Sequence, residues 1–174
     1  SDGLCEDLSR HTDRIRVICN GFDEEDLSAA VKKRTEKFSL AYVGNFLPFQ
    51  NVESVWTALS ELCRELPGFA NDLSIEFTGS VDASVLDSIR NAGLWEHLSV
   101  MEFVPHNEAI RRMSSACLLL FVVPAVPDNR LIVTGKLFEY IASGTAILAM
   151  GPPEGDAAGI RQDSAGDDFE KSGL

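Results

Sequence analysis

Between Ser39 and Met150, short apolar runs alternate with stretches whose apolar residues recur every three or four positions. The runs are SLAYVG (Ser39–Gly44), LSIEFTG (Leu73–Gly79), LSVMEFV (Leu98–Val104), CLLLFVV (Cys117–Val123) and AILAM (Ala146–Met150). Runs of this length read as strands, and the spacing between them reads as amphipathic helix. Strand and helix in strict alternation leave few architectures open. Parallel strands need crossovers, crossovers are right-handed, and the product is a doubly wound parallel α/β sheet. CLLLFVV is the most continuously apolar run, as the centre of a sheet buried on both faces requires. The expected strand order is 3-2-1-4-5, with Ser39–Gly44 in the middle and helices on both faces.

The helical stretches carry their own signals. Asn51 to Leu66 places Val52, Val55, Trp56, Leu59, Leu62, Cys63 and Leu66 on one face, a core-facing stripe. Asn51 is the expected N-cap, Glu53 falls in the first turn, and Pro67-Gly68 is the expected stop. Asp82 caps a second helix that stops at Gly93. A third runs from Asn107 to Ser115 with Ala109, Ile110 and Met113 inward, a fourth from Thr134 to Ser143, and Pro152-Pro153 opens a last short one. RIRVICNGFD (Arg14–Asp23) reads as a lone strand and turn, cut off from the sheet by polar residues. Residues 1–38 are therefore expected to be a linker or remnant of a preceding lobe, and residues 39–161 the α/β lobe. Residues 162–174 lack apolar periodicity and are expected to be a frayed or truncated tail.

Composition narrows the partners. A net charge of -12, from 27 acidic and 15 basic residues, argues against a broad nucleic-acid surface, which needs the opposite sign. No apolar run is long enough to span a bilayer, and the first residues lack a signal-peptide pattern. The four cysteines show no C-x-x-C spacing; Cys63 and Cys117 read as small core residues, and a cytoplasmic location is expected. The three histidines, His11, His97 and His106, have no ligand spacing, so no metal site is expected. Trp56 and Trp95 suit core or interface packing.

Doubly wound sheets bind ligands outside the carboxyl ends of their strands. That rule selects Gly44-Asn45, Gly79-Ser80, Val104 to Asn107, the Pro124 to Thr134 loop and Gly151-Pro152. TGKLFEYIASG (Thr134–Gly144) is the most informative segment. Thr134 can cap the helix, Gly135 permits close backbone approach, and the first-turn amides with Lys136 can hold a diphosphate. Glu139, just over one turn further in, is placed to bond a ribose diol. Spacing alone favours the plainer alternative, a surface helix with Lys136 and Glu139 as an i,i+3 ion pair. Gly44-Asn45 either sets amides beside phosphates or merely turns the chain, and His106 either touches a ligand or starts a helix facing water. The chain has no G-x-G-x-x-G, G-x-x-x-x-G-K-[ST] or G-x-S-x-G sequence, which excludes ordinary dinucleotide dehydrogenases, P-loop ATPases and serine hydrolases.

NGFD, YVGNF, FTG, FVPHNEAIRRMSSACLLLFVVP and GKLFEYIASGTAILAMGPPEGDAA, in that order, resemble the C-terminal lobe of family 4 glycosyltransferases with the GT-B fold. The resemblance covers about Arg14 to Ile160. It implies a Rossmann-like lobe that binds a nucleotide-diphosphate-sugar donor, with no further cofactor, facing an N-terminal acceptor lobe that lies outside this sequence. By resemblance Glu139 matches the second glutamate of E-x7-E and holds the ribose, Gly44 and Asn45 lie near the phosphates, and Val104 and its neighbours meet the base. Arg130 and Lys136 are then the counter-charges for the leaving diphosphate, and the sugar transferred is of hexose type. Three departures accompany the match. Leu131 stands where the first glutamate is expected, GNFLPFQN after the first strand carries no basic residue, and no further strand follows Ile160. A non-catalytic binding module of the same fold and a sugar-nucleotide epimerase lobe are the alternatives.

Overall fold

A computed structural model describes residues 37–123 and 134–152 of the 174-residue chain. The expected strand near Arg14, the NGFD turn, Arg130, Leu131, the helix opening at Pro153 and the tail lie outside the described residues. The sheet is parallel throughout, with strands β1 (Phe38–Val43), β2 (Leu73–Thr78), β3 (Leu98–Met101), β4 (Leu118–Val122) and β5 (Ala146–Met150). Their order is 3-2-1-4-5, the arrangement that the alternation predicts. The helices are α1 (Glu53–Glu65), α2 (Phe69–Asp72), α3 (Ala83–Asn91), α4 (His106–Ser115) and α5 (Gly135–Ser143).

The pleat sorts each inner strand into two cores, because successive side chains point to opposite faces. Leu40, Tyr42, Leu120 and Val122 join Val55, Trp56 and Leu59 of α1 with Val85 and Ile89 of α3 on one face. Ala41, Leu119, Phe121 and Val123 join Ala109 and Met113 of α4 with Leu137 and Tyr140 of α5 on the other. Buried Ile110 completes the inward face expected of α4. Trp56 is 1% exposed, a core residue, whereas Trp95 lies at the surface with the Arg90 guanidinium 4.1 Å over its ring. Cys63 and Cys117 are only partly buried. Among the described residues no helix is long and apolar enough to cross a membrane.

Several boundaries differ from expectation for physical reasons. Asn51 does not cap α1; Val52 occupies that position and no side chain closes it. The Asn51 amide is engaged elsewhere, its Oδ1 accepting from Trp56 Nε1 at 2.9 Å and its Nδ2 donating to Ser88 Oγ at 2.8 Å. A buried indole N–H without an acceptor is costly, and Asn51 supplies one while tying α1 to α3. Leu62 and Leu66 are exposed rather than inward, and the last turn of α1 meets the core through the partly buried Cys63. β3 stops at Met101, short of the expected Val104, because it is an edge strand paired only with β2. Asp82 does cap α3, accepting from the Ser84 amide at 2.9 Å.

Asn51→Ala and Trp56→Phe, made singly and together, should show a coupling energy of about 1 kcal/mol in denaturant unfolding. A coupling of zero would mean that Asn51 acts only at the helix end.

Candidate functional site

β1 and β4 are where the strand order turns back, the position at which such sheets bind ligands. Their pairing runs only from Leu40–Leu118 to Ala41–Leu119, whereas β1 pairs with β2 along its whole length. Beyond Ala41 the two strands part. The Val43 amide donates to the Tyr140 hydroxyl of α5 at 3.0 Å. Tyr140 is fully buried, and its ring packs edge-on to Phe121 at 6.4 Å. One phenol thus fixes the middle of α5 against the parting strands. Burial pushes its pKa well up, so the hydroxyl stays neutral.

A cavity of about 430 Å³ opens at this parting. Tyr42 and Gly44 line it from β1 and its end, Phe121 and Val122 from β4, and Thr134 and Lys136 from the start of α5. Asn45, Leu47, Phe49 and Gln50 come from the loop after β1, and Phe103 from the loop after β3. Gly44 has φ 119°, and a Cβ there would stand 2.8 Å from Lys136 Nζ. Gly79, at φ 124°, lies so close that a Cβ would run into the Gly44 carbonyl. Glycine at both strand ends is therefore a requirement of close approach, and it leaves room for the lysine.

Lys136 Nζ sits 3.8 Å from the centre of the Tyr42 ring, a cation–π contact. It does not close on Glu139 as an i,i+3 pair. Burial lowers the Lys136 pKa to about 8, against a smaller opposing pull from the Glu139 carboxylate. The amine therefore changes charge within reach of physiological pH. The Tyr42 hydroxyl donates to the Asn45 carbonyl at 2.9 Å and accepts from Gln50 Nε2 at 3.4 Å. Its pKa is raised by burial, offset in part by the Gln50 bond.

The expected residues divide accordingly. Gly44, Asn45, Thr134 and Lys136 line one cavity, and Gly135 starts the helix beside it. Thr134 takes the N-cap backbone conformation, but its side chain makes no cap bond. The Leu137 amide donates to the Thr134 carbonyl at 3.0 Å, which leaves the Gly135 and Lys136 amides as the donors of this helix start. Glu139, half-buried one turn along α5, does not line the cavity, nor do Val104 and His106, the latter being the exposed first residue of α4. Among the described residues no group of three or more His, Cys, Asp or Glu could hold a metal ion.

Sequence reasoning missed Tyr42, Leu47, Phe49, Phe103 and Tyr140. The signal for Tyr140 was its i,i+3 spacing from Leu137 on the inward face of α5. The signal for Leu47 and Phe49 is the apolar character of GNFLPFQN, which accompanies its lack of basic residues.

No protein-family model matches the chain, and no curated protein sequence matches it either. Solved structures do match. The pneumococcal O-GlcNAc transferase GtfA, solved in complex with UDP and GlcNAc, superposes with a TM-score of 0.60 at 17% identity over 95% of this chain. WaaG, a glycosyltransferase involved in lipopolysaccharide biosynthesis, gives 0.67 at 16% identity over 94%. The fold is that of the Rossmann-like lobe of a GT-B glycosyltransferase. AviGT4, a glycosyltransferase involved in avilamycin A biosynthesis, gives 0.59 at 17% over 86%. The chain spans 35%, 45% and 42% of GtfA, WaaG and AviGT4 respectively.

Two measurements test this geometry. Tyr140→Phe leaves the Val43 amide without its acceptor and should cost about 1–3 kcal/mol in denaturant unfolding; a change within error would contradict the contact. NMR titration of labelled lysine should find one amine near the value of about 8, lost in Lys136→Met. A Lys136 amine titrating at the ordinary 10.5 would show that it lies in water.

Proposed function

We propose that this lobe binds a nucleotide-diphosphate-sugar donor and that the intact protein transfers the sugar to an acceptor held by a second lobe. The observation that carries the reading is the convergence of Gly44, Lys136 and the start of α5 on one cavity at the strand-order reversal. Helix-start amides and an ammonium are a diphosphate site in both charge and hydrogen-bonding capacity. The fold likeness to GtfA, which was solved with UDP, supports the same chemistry. Catalysis by such a site rests on holding the donor in place and stabilising the leaving diphosphate. Lys136 is the group in the cavity able to offset that charge, and Arg130, outside the described residues, is proposed to assist. Glu139 is proposed to reach the ribose once the donor is bound, Thr134 and Gly135 to face the phosphates, Asn45 to lie beside them, and Val104 and His106 to border the base.

The described cavity lining contains no carboxylate and no imidazole, and Leu131 stands where the resemblance expects the first glutamate. A lobe that only binds nucleotide, without transfer, is the second reading favoured by that fact. Either way, this chain alone should bind donor without multiple turnover.

Binding should weaken as pH rises. The protonated amine attracts the diphosphate, so affinity is full below about 8, the Lys136 pKa, and is lost above it. Titration calorimetry at about pH 7 and about pH 9 should show roughly a tenfold drop for the unmodified chain. The drop should vanish in Lys136→Arg, whose charge persists. Affinity that ignores pH would remove Lys136 from the phosphate site. Glu139→Gln should cost about 1–3 kcal/mol of nucleotide binding with little effect on stability; unchanged affinity would remove Glu139 as the ribose contact.

A further inference from the structure

Tyr42 is a buried residue of the core shared with α1 and α3, yet its ring seats an ammonium that comes from the opposite face of the sheet. Lys136 Nζ stands 3.8 Å from the ring centre. The ring is held from several directions. Phe46 packs perpendicular to it at 4.6 Å, and Phe77 lies 6.1 Å away. Its hydroxyl donates to the Asn45 carbonyl at 2.9 Å and accepts from Gln50 Nε2 at 3.4 Å. Gln50 Oε1 accepts in turn from the Leu47 amide at 3.0 Å. Gly44 borders the same amine: a Cβ there would stand 2.8 Å from Lys136 Nζ and 3.4 Å from Cε.

A lysine at a helix start has a long stem with many rotamers, and ordering that stem when a ligand arrives costs affinity. A fixed ring beside a residue with no side chain removes much of this cost in advance. The kind of partner matters as much as the place. A carboxylate would hold the ammonium too, but it would neutralise the charge and have to be displaced by an arriving anion. The face of a ring attracts a cation through its quadrupole and carries no net charge. Burial drives the Lys136 amine toward its neutral form, and the Glu139 carboxylate on the same helix opposes this only in part. The ring acts in the same sense as Glu139, because it stabilises only the protonated amine.

Resting on the diphosphate reading above, we propose that Tyr42 is a positioning residue for donor binding. Its ring holds the Lys136 ammonium at the parting of β1 and β4 while leaving that charge available to the diphosphate.

The test replaces the ring electronically and leaves its shape nearly unchanged. Tyr42→Phe in the full 174-residue chain is compared with the mono-, di- and trifluorophenylalanine substitutions at the same position, the amide spectra reporting that each variant is folded. Fluorine withdraws electron density from the ring face, which weakens its hold on a cation and leaves burial as it was. NMR titration of labelled lysine should find the Lys136 pKa falling in order along the series, by about half a unit or more at the trifluoro end. A residue that only fills the core would show no such trend. Binding of inorganic pyrophosphate at about pH 8, near the midpoint of the amine, should weaken about twofold or more from Tyr42→Phe to the trifluoro variant. A Lys136 pKa that ignores fluorination would overturn the role of the ring and leave the diphosphate reading intact. A pKa that falls in order while pyrophosphate binds every variant alike would overturn the inference and remove Lys136 from the phosphate site. Failure of pyrophosphate to bind the unmodified chain would overturn the reading and the inference together.

Discussion

The contact between the Tyr140 hydroxyl and the Val43 amide holds the site open. In a continuous parallel ladder that amide would face a neighbouring strand. Here β1 and β4 stop pairing at Ala41 and Leu119, and a phenol from α5 takes over the donor at 3.0 Å. Parting the strands without it would strand a backbone group in a poorly hydrated place. With it, the strands separate at little cost and α5 is held above the gap. The cavity, the position of Lys136 and the need for glycine at 44 follow from that geometry, whereas glycine at 79 answers to the Gly44 carbonyl.

Lys136 shows how the fold sets a charge. Its stem crosses from α5, on one face of the sheet, to the ring of Tyr42, which belongs to the core of the other face. The passage exists only because β1 and β4 have separated and residue 44 has no side chain. Tyr42 itself is held by Phe46 at 4.6 Å and Phe77 at 6.1 Å, and by hydroxyl bonds to Asn45 and Gln50. The ammonium thus rests on a braced aromatic surface. Its burial disfavours the charged form, a cost that an arriving anion would offset.

Topology was legible in the sequence because it depends on pattern. Five apolar runs separated by helical spacing specify a parallel sheet, and the continuous CLLLFVV run identifies a strand buried on both faces. The position of the cavity was legible for the same reason, since a sheet of this order opens at its reversal. What escaped was the work of individual side chains. Asn51 looked like a cap because asparagine before a helix often is one, and only the packing of Trp56 beside it and Ser88 opposite reveals the competing claim on its amide. Lys136 and Glu139 looked like a surface pair because i,i+3 spacing cannot show that Tyr42, far away in sequence, offers the lysine another seat. The aromatic rim was equally hidden, because Phe49 and Phe103 meet only when the loops after β1 and β3 converge.

The central claim is that the parting of β1 and β4 is an anion site. Amide NMR spectra of the chain with increasing nucleoside diphosphate test it most directly. The account predicts saturable shifts concentrated at Gly44, Asn45, Gly135 and Lys136, with little movement at Glu53, Thr57 and Asn91, which border a separate groove between α1 and α3. Saturable shifts centred on that groove, with Gly44 and Lys136 unmoved, would contradict it.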